Sequence, residues 1–286
     1  MSYSTHCPVE KAEKLLLATD NSEFSEGAVR EAIKFSAQCS SKLYAMSVVE
    51  VLTDYEAFSP QKIEDALEAG VKNHLESVKA RAQNEGVDCD TIIAYGEPHQ
   101  SIVDEAERKK VDIIVLGRRG TKGLKKLLLG EVAAKVIGHA PCNVLVVPRA
   151  AVISYRNILV ATDGSGHSIA AAEQAIRIAK RCGSRVLALS SIRSNDELGA
   201  AKSNVSKVVE MAQKENVPAE GITSMGRSYN VIVEAAGGRG VDLIVMGISA
   251  KTALQKIFTG SATEQVIGNA GCAVLIVKGD ESRATV

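Results

Sequence analysis

The chain has 286 residues, and its 34 Lys plus Arg equal its 34 Asp plus Glu, so nothing global draws it to nucleic acid or to an anionic membrane. Apolar residues make up 45% and charged residues 24%, a globular composition long enough for two domains with separate cores. Aromatics are 3% with no Trp, which leaves those cores to Val, Ile, Leu and Ala and suits parallel strands buried on both faces. No apolar run approaches the roughly 18 residues that span a bilayer. The polar stretch Met1–Lys14 has no signal-peptide h-region, so the expected compartment is the cytoplasm. The six cysteines (Cys7, Cys39, Cys89, Cys142, Cys182, Cys272) are scattered without metal spacing and read as reduced thiols. The five histidines form no i, i+4 pair and no cluster with cysteine, and no role is assigned to them.

In chain order, strand one is Lys14 to Ala18, ending at Thr19-Asp20, and Asn21 or Ser22 caps a helix that runs to Cys39. Strand two is Leu43 to Val49, and Val51 to Gln61 reads as a loop. A helix with the stripe Ile63, Leu67, Val71, Leu75 and Val78 leads to strand three, Asp90 to Tyr95. Gly96-Glu97-Pro98 turns into a helix to Lys109, then come strand four (Ile113 to Leu116), a basic loop, a helix to His139 and strand five (Val144 to Val147).

The whole pattern returns. Lys14-Leu-Leu-Leu-Ala-Thr-Asp20 answers to Asn157-Ile-Leu-Val-Ala-Thr-Asp163 at an offset of 143, and Gly96, Gly117, Gly130 and Cys142 answer to Gly226, Gly247, Gly260 and Cys272 at an offset of 130. The second copy therefore lacks 13 residues, placed in the loop at Val51 to Gln61. A repeat of this size is a duplicated domain, 1–150 and 151–286, with the boundary near Arg149 to Tyr155. Strands alternating with helices predict parallel, doubly wound α/β sheets whose ligands sit at the carboxyl ends of the strands.

Gly117-x-x-Gly120 followed by Gly130 is the main candidate for a phosphate site, since glycine lets a ligand approach backbone N–H groups and the following helix adds its positive end. The plainer alternative is a pair of structural turns, although Gly247 and Gly260 keep the spacing. Neither a Walker loop nor a dinucleotide fingerprint is present. Asp20 and Asp163 each end a first strand, where a carboxylate either binds ribose or base, or caps the helix. Arg118, Arg119, Lys122, Lys125 and Lys126 either clamp phosphates or form a solvated face. There is no Ser-His-Asp order, no nucleophile elbow and no carboxylate pair with evident acid/base roles, so catalysis is not what the residues advertise.

Together these residues resemble the universal stress protein family in its tandem form, from Lys14 to Val147 and again from Arg156 to Val277. Nucleotide-binding members carry G-x2-G-x9-G-[S/T] after strand four, an Asp after strand one and an apolar residue at the end of strand two. In the first unit the resemblance carries nucleotide contacts to Ala18, Asp20, Val48, Leu116, Gly117, Gly120, Gly130 and Val132, with Glu131 where Ser or Thr belongs. In the second it carries them to Ala161, Asp163, Ser191, Met246, Gly247, Ala250, Gly260, Ser261 and Ala262. There Ser191 replaces an aliphatic residue and Ala250 the second glycine.

The resemblance implies two adenine-nucleotide α-hydrolase-like sandwiches, each with a five-stranded parallel sheet. It implies ATP or AMP as ligand, with Mg, and a stress or signalling role with slow hydrolysis at most. The competing class is a nucleotide-free protein-interaction module on the same fold. A third reading, an adenylating enzyme, lacks the S-G-G-x-D-S pyrophosphate loop. In family dimers the last strand pairs with its twin, so Val144–Val147 is expected to pair with Val274–Val277 inside one chain. A further homodimer and an unnamed protein partner stay open.

Overall fold

The computed structural model describes residues 7–10, 12–50, 60–120, 129–248 and 261–279, the side chains of 60–66 excepted. The first unit runs β1 (Lys14–Ala18), α1 (Glu26–Cys39), β2 (Lys42–Val49), α2 (Pro60–Asn84), β3 (Cys89–Tyr95), α3 (Pro98–Lys109), β4 (Ile113–Gly117), α4 (Glu131–His139) and β5 (Asn143–Val147). The second runs β6 (Asn157–Ala161), α5 (Gly166–Cys182), β7 (Arg185–Ile192), α6 (Leu198–Lys214), β8 (Ala219–Met225), α7 (Ser228–Gly238), β9 (Leu243–Ile248), α8 (Ala262–Asn269) and β10 (Ala273–Lys278). The predicted strands of the first unit are all present to within a residue. Their consecutive aliphatics alternate between two cores: Leu15 and Leu17 face α1 and α2, while Leu16 faces α3 and α4.

Two expectations change. Helix α1 begins at Glu26, not after a cap at Asn21 or Ser22, because Asn21 takes φ 61° in the left-handed region and the Ser22 carbonyl accepts from the Ser25 N–H and hydroxyl. In the second unit the matching Ser165 does cap, accepting from the Ser168 N–H, and α5 starts at once. The extra residues of the first unit are not all loop either, since α2 has 25 residues against 17 in α6; residues 51–59 lie outside the described ones. The apolar stripe of α2 holds for Leu75 and Val78, which are buried, and in part for Val71, whereas Leu67 is 47% exposed. The side chain of Ile63 is among those excepted.

The two parallel sheets are fused. Strand order is β3-β2-β1-β4-β5-β10-β9-β6-β7-β8, ten strands in one sheet, and the junction is an antiparallel β5–β10 pair with Leu145 opposite Leu275. The expected intrachain pairing of the last strands is thus what the structure contains. It removes two apolar edges at a stroke. Side chains reinforce it: Arg118 Nη1 donates to the Ala270 carbonyl at 2.9 Å, and Lys278 Nζ donates to the Ile137 carbonyl at 2.7 Å. Each cation meets the carboxyl end of the other unit's fourth helix, where unpaired carbonyls concentrate negative charge. Burial lowers Lys278 to about 8, with the nearby Cys142 thiol acting the other way. The chain between β5 and β6 is clamped by α1. Arg30 donates to the Ala151 carbonyl, Lys34 to the Ile153 carbonyl, and buried Glu31 accepts from the Ile153 N–H at 3.3 Å.

Cys7 and Cys39 form a disulfide, which overturns the expectation of six reduced thiols. Nothing in their spacing marks them as a pair; folding brings the N-terminal segment to the end of α1. The cytoplasmic expectation loses the support it drew from reduced cysteines. Cys89, Cys142, Cys182 and Cys272 are thiols. Burial pushes Cys89 and Cys272 up to about 11 and Cys142 up to about 12, so these three are inert. Among the described residues no helix is long and apolar enough to cross a membrane.

Candidate functional site

In each half the strand order reverses between the first and fourth strands, at β1/β4 and again at β6/β9. Such a switch point opens a crevice at the carboxyl ends of the strands. In the first unit Ala18 stands opposite Leu116 across it. Ala18, Val48 and Val132 are half-buried against the apolar cluster that contains Leu116, giving the crevice an apolar wall. In the second unit Ala161 is half-buried against the apolar cluster that contains Met246.

The two aspartates reach the mouth of these crevices, and neither caps a helix, since the N-caps are Ser25 and Ser165. Instead each carboxylate closes a turn. Asp20 Oδ1 accepts from the Ser22 N–H at 3.1 Å and its hydroxyl at 2.6 Å, and Asp163 Oδ1 accepts from the Ser165 N–H at 3.0 Å and its hydroxyl at 2.6 Å. Burial pushes the Asp163 carboxyl up, but these hydrogen bonds outweigh it and hold the group below its ordinary value.

The glycines divide by role. Gly117 ends β4 against α1's leading turn, where an added Cβ would come within 2.9 Å of the Phe24 carbonyl oxygen. Gly247 is tighter still: a Cβ there would overlap the His167 carbonyl. Close packing of strand on helix accounts for both without any ligand. Gly120 and Gly130 are different. A Cβ on Gly120 would lie 2.8 Å from Asp20 Oδ2, and the Gly130 N–H donates to the Arg118 carbonyl at 2.9 Å. The turn after β4, the acid after β1 and the start of α4 therefore converge on one spot, as a phosphate-and-ribose cradle requires. Ala250 and Gly260 lie outside the described residues, as do Lys122, Lys125 and Lys126.

At the start of the fourth helix the units differ in charge, Glu131 being the first residue of α4 and Ser261 the N-cap of α8. Glu131 is 77% exposed and pairs with Lys135 at 2.7 Å, which holds its carboxyl below the ordinary value. Ser261, its counterpart, caps α8 by accepting from the Glu264 N–H at 3.1 Å, and its hydroxyl hydrogen stays available to a ligand. The next residue, Ala262, is exposed. Ser191 donates to the Ser228 hydroxyl at 2.7 Å, so the polar residue in the second apolar wall has its own partner. Arg118, half-buried and engaged across the sheet junction, is not placed as a phosphate clamp.

Two sets of residues escaped the sequence reading. Asp112 accepts from the Glu13 and Lys14 N–H groups and Asp242 from those of Tyr155 and Arg156, fixing the entry to the first strand at the far end of each sheet. The other set is hydroxyls: Thr19-Asp20-x-Ser22-x-x-Ser25 returns as Thr162-Asp163-x-Ser165-x-x-Ser168, a signal the repeat itself offers. A cavity of about 750 Å³ between α5 and α6 lies away from all of this. On its charged rim Lys180 pairs with Glu215 and Arg177 with Glu173.

A doubly wound α/β fold in two fused copies, each with a switch point between its first and fourth strands, defines the class. The family model of the universal stress protein family matches residues 11–148 and again 154–278, and the chain belongs to that family. It is similar to a universal stress protein of Methanocaldococcus jannaschii, 37% identical over 145 residues that cover 48% of this chain and 82% of the relative. A universal stress protein of Synechocystis is 34% identical over 148 residues, covering 47% of this chain and 96% of the relative. These relatives correspond to one unit. Over both units the fold is that of a universal stress protein from Archaeoglobus fulgidus, with a TM-score of 0.78 at 21% identity, covering 94% of this chain and all of that one. A putative universal stress protein from Pseudomonas aeruginosa gives 0.71 at 18% identity, covering 94% of each.

Proposed function

We propose that this universal stress protein binds adenine nucleotide, ATP or AMP, at the switch-point crevices, and signals through nucleotide-dependent contacts rather than turnover. The observation that carries the reading is the meeting of Asp20, Gly120 and Gly130 above the Ala18–Leu116 wall. Adenine would lie on the apolar wall, ribose hydroxyls would donate to the aspartate, and phosphates would meet the turn N–H groups and the helix end. Glu131 sets the two units apart. A carboxylate there repels a polyphosphate, and its pairing with Lys135 offsets only part of that. Ser261 offers a hydroxyl instead, so the second unit holds ATP more tightly, and AMP discriminates less.

Calorimetric titration of ATP tests the asymmetry. Glu131→Ser is expected to tighten the weaker site a few-fold, and Ser261→Glu to lower affinity at the stronger one by roughly tenfold or more. Unchanged ATP binding in Ser261→Glu would remove the second unit as principal site. A nucleotide-free interaction module is the second reading, favoured by one observation: Gly117 and Gly247 are already explained by helix packing. Mass spectrometry of the denatured, purified protein separates the two, since co-purified adenine nucleotide is expected only under the first.

A further inference from the structure

His74 projects from α2 into the strand-end region of the first unit, and its Nε2 lies 2.9 Å from the Thr19 hydroxyl. The bonds around it fix the direction of donation. The Ser25 hydroxyl donates to the Ser22 carbonyl at 2.9 Å, so its oxygen must accept in the 2.9 Å contact with Thr19. Thr19 then spends its single hydrogen on Ser25 and must accept from His74, which is therefore protonated on Nε2. Ser22 in turn donates twice to Asp20. The result is one polar chain from His74 through Thr19, Ser25 and Ser22 to the carboxylate at the crevice. Thr19 and Ser25 are 6% and 3% exposed, so water does not replace a missing link.

The second unit repeats the chain without its first member. Thr162, Ser168 and Ser165 make the same contacts toward Asp163, and Thr162 Oγ1 accepts instead from the Gly164 N–H at 3.3 Å. The position matching His74 is Asn204, which packs on Gly164.

We propose that His74 is a positioning residue for nucleotide in the first unit, holding the Asp20 turn in its binding geometry and making that crevice, unlike the second, respond to protonation. This rests on the nucleotide reading above. Protonated His74 keeps its Nε2 donor and adds positive charge beside an anionic ligand. It faces Asp20 from the loop after β1, Glu26 from α1 and Arg81 from its own helix. Burial lowers its proton affinity in the free protein, with Asp20 and Glu26 opposing, and an incoming phosphate opposes burial further. By linkage the ligand binds more tightly as pH falls through the range below about 6.5, the ordinary histidine value.

The test is calorimetry with ADP in an Asp163→Ala background, which leaves the first crevice to be read. His74→Leu is expected to weaken ADP roughly tenfold by stranding the buried Thr19 oxygen. His74→Gln, whose amide nitrogen reaches the same place, should restore affinity. Between pH 7.5 and 5.5 the histidine form should gain roughly fivefold over His74→Gln, the ligand's own protonation being common to both. Leu binding as well as His, Gln binding as poorly as Leu, or parallel pH profiles for His and Gln would each overturn the proposal. If the Leu variant does not fold, imidazole nitrogen shifts of His74 decide, an Nδ1-protonated tautomer being the overturning result. No ADP heat even in the unsubstituted protein would refute the nucleotide reading itself, and this proposal with it.

Discussion

At the scale of single residues, the glycines show how one spacing serves two purposes. Gly117 and Gly247 sit where a strand end touches the backbone at the start of its unit's first helix, α1 or α5, while Gly120 and Gly130 shape the turn. The packing role predicts an effect without ligand. Gly247→Ala should destabilise the ligand-free protein toward the upper end of about 1–3 kcal/mol and Gly117→Ala toward the lower end. The difference arises because a Cβ at 247 meets a rigid carbonyl at closer range. Urea unfolding midpoints check the order, and equal midpoints for both variants and wild type would leave the glycines to ligand binding alone. Glu131 and Ser261 teach the complementary lesson, since one position can be a solvent-facing ion pair in one copy and a helix cap in the other.

Among the elements, α1 makes three separate attachments. Its first turn packs on β4, its middle holds the chain between β5 and β6 through Arg30, Glu31 and Lys34, and its last residue carries the Cys7 disulfide. The Cys7 carbonyl also accepts from Arg181 Nε of α5 at 2.8 Å, so the N-terminal segment spans both units. Closing a loop of 32 residues stabilises by roughly 3–4 kcal/mol in the chain-entropy account. Thiol titration of the denatured, unreduced protein should find four thiols and the reduced protein two more, with a lower melting temperature after reduction. Six thiols without reductant would contradict the pairing.

For the whole molecule, the junction of β5 with β10 turns two half-proteins into one sheet, and its side-chain contacts are pH-sensitive through Lys278. Burial holds that amine near 8, below the ordinary 10.5, so between those values the unfolded chain keeps a proton that the folded chain has released. Stability contributed by this group therefore rises with pH from about 8 toward 10.5. The buried thiols act in the opposite sense at higher pH, because the folded state keeps protons the unfolded state loses. The difference between wild type and Lys278→Met isolates the lysine. Wild type should gain stability relative to the variant on going from pH 7.5 to 9.5, read as the shift in urea midpoint. A constant difference would mean the amine is better solvated than its position implies.

What the sequence determined by itself is whatever depends on local pattern and on repetition. Aliphatic runs at regular intervals specify parallel strands because only a two-sided burial makes Ile113 to Leu116 or Val144 to Val147 favourable. The repeat with its conserved spacing announced two units and pointed to the crevices where Asp20, Gly120 and Gly130 meet. Tertiary structure decided the rest, because those outcomes depend on atoms distant in sequence. Whether Gly117 serves a ligand or a helix turns on the Phe24 carbonyl beside it. Arg118, read as a phosphate clamp or a solvated residue, became a junction contact because antiparallel pairing of β5 and β10 set Ala270 within its reach. His74, assigned nothing, acquired a partner only when α2 laid it over Thr19. The Cys7–Cys39 bond required the N-terminal segment to return to the end of α1. Local pattern fixes which face of an element is apolar, but the partner of a polar group is chosen by the packing of whole elements, and that choice is made only in three dimensions.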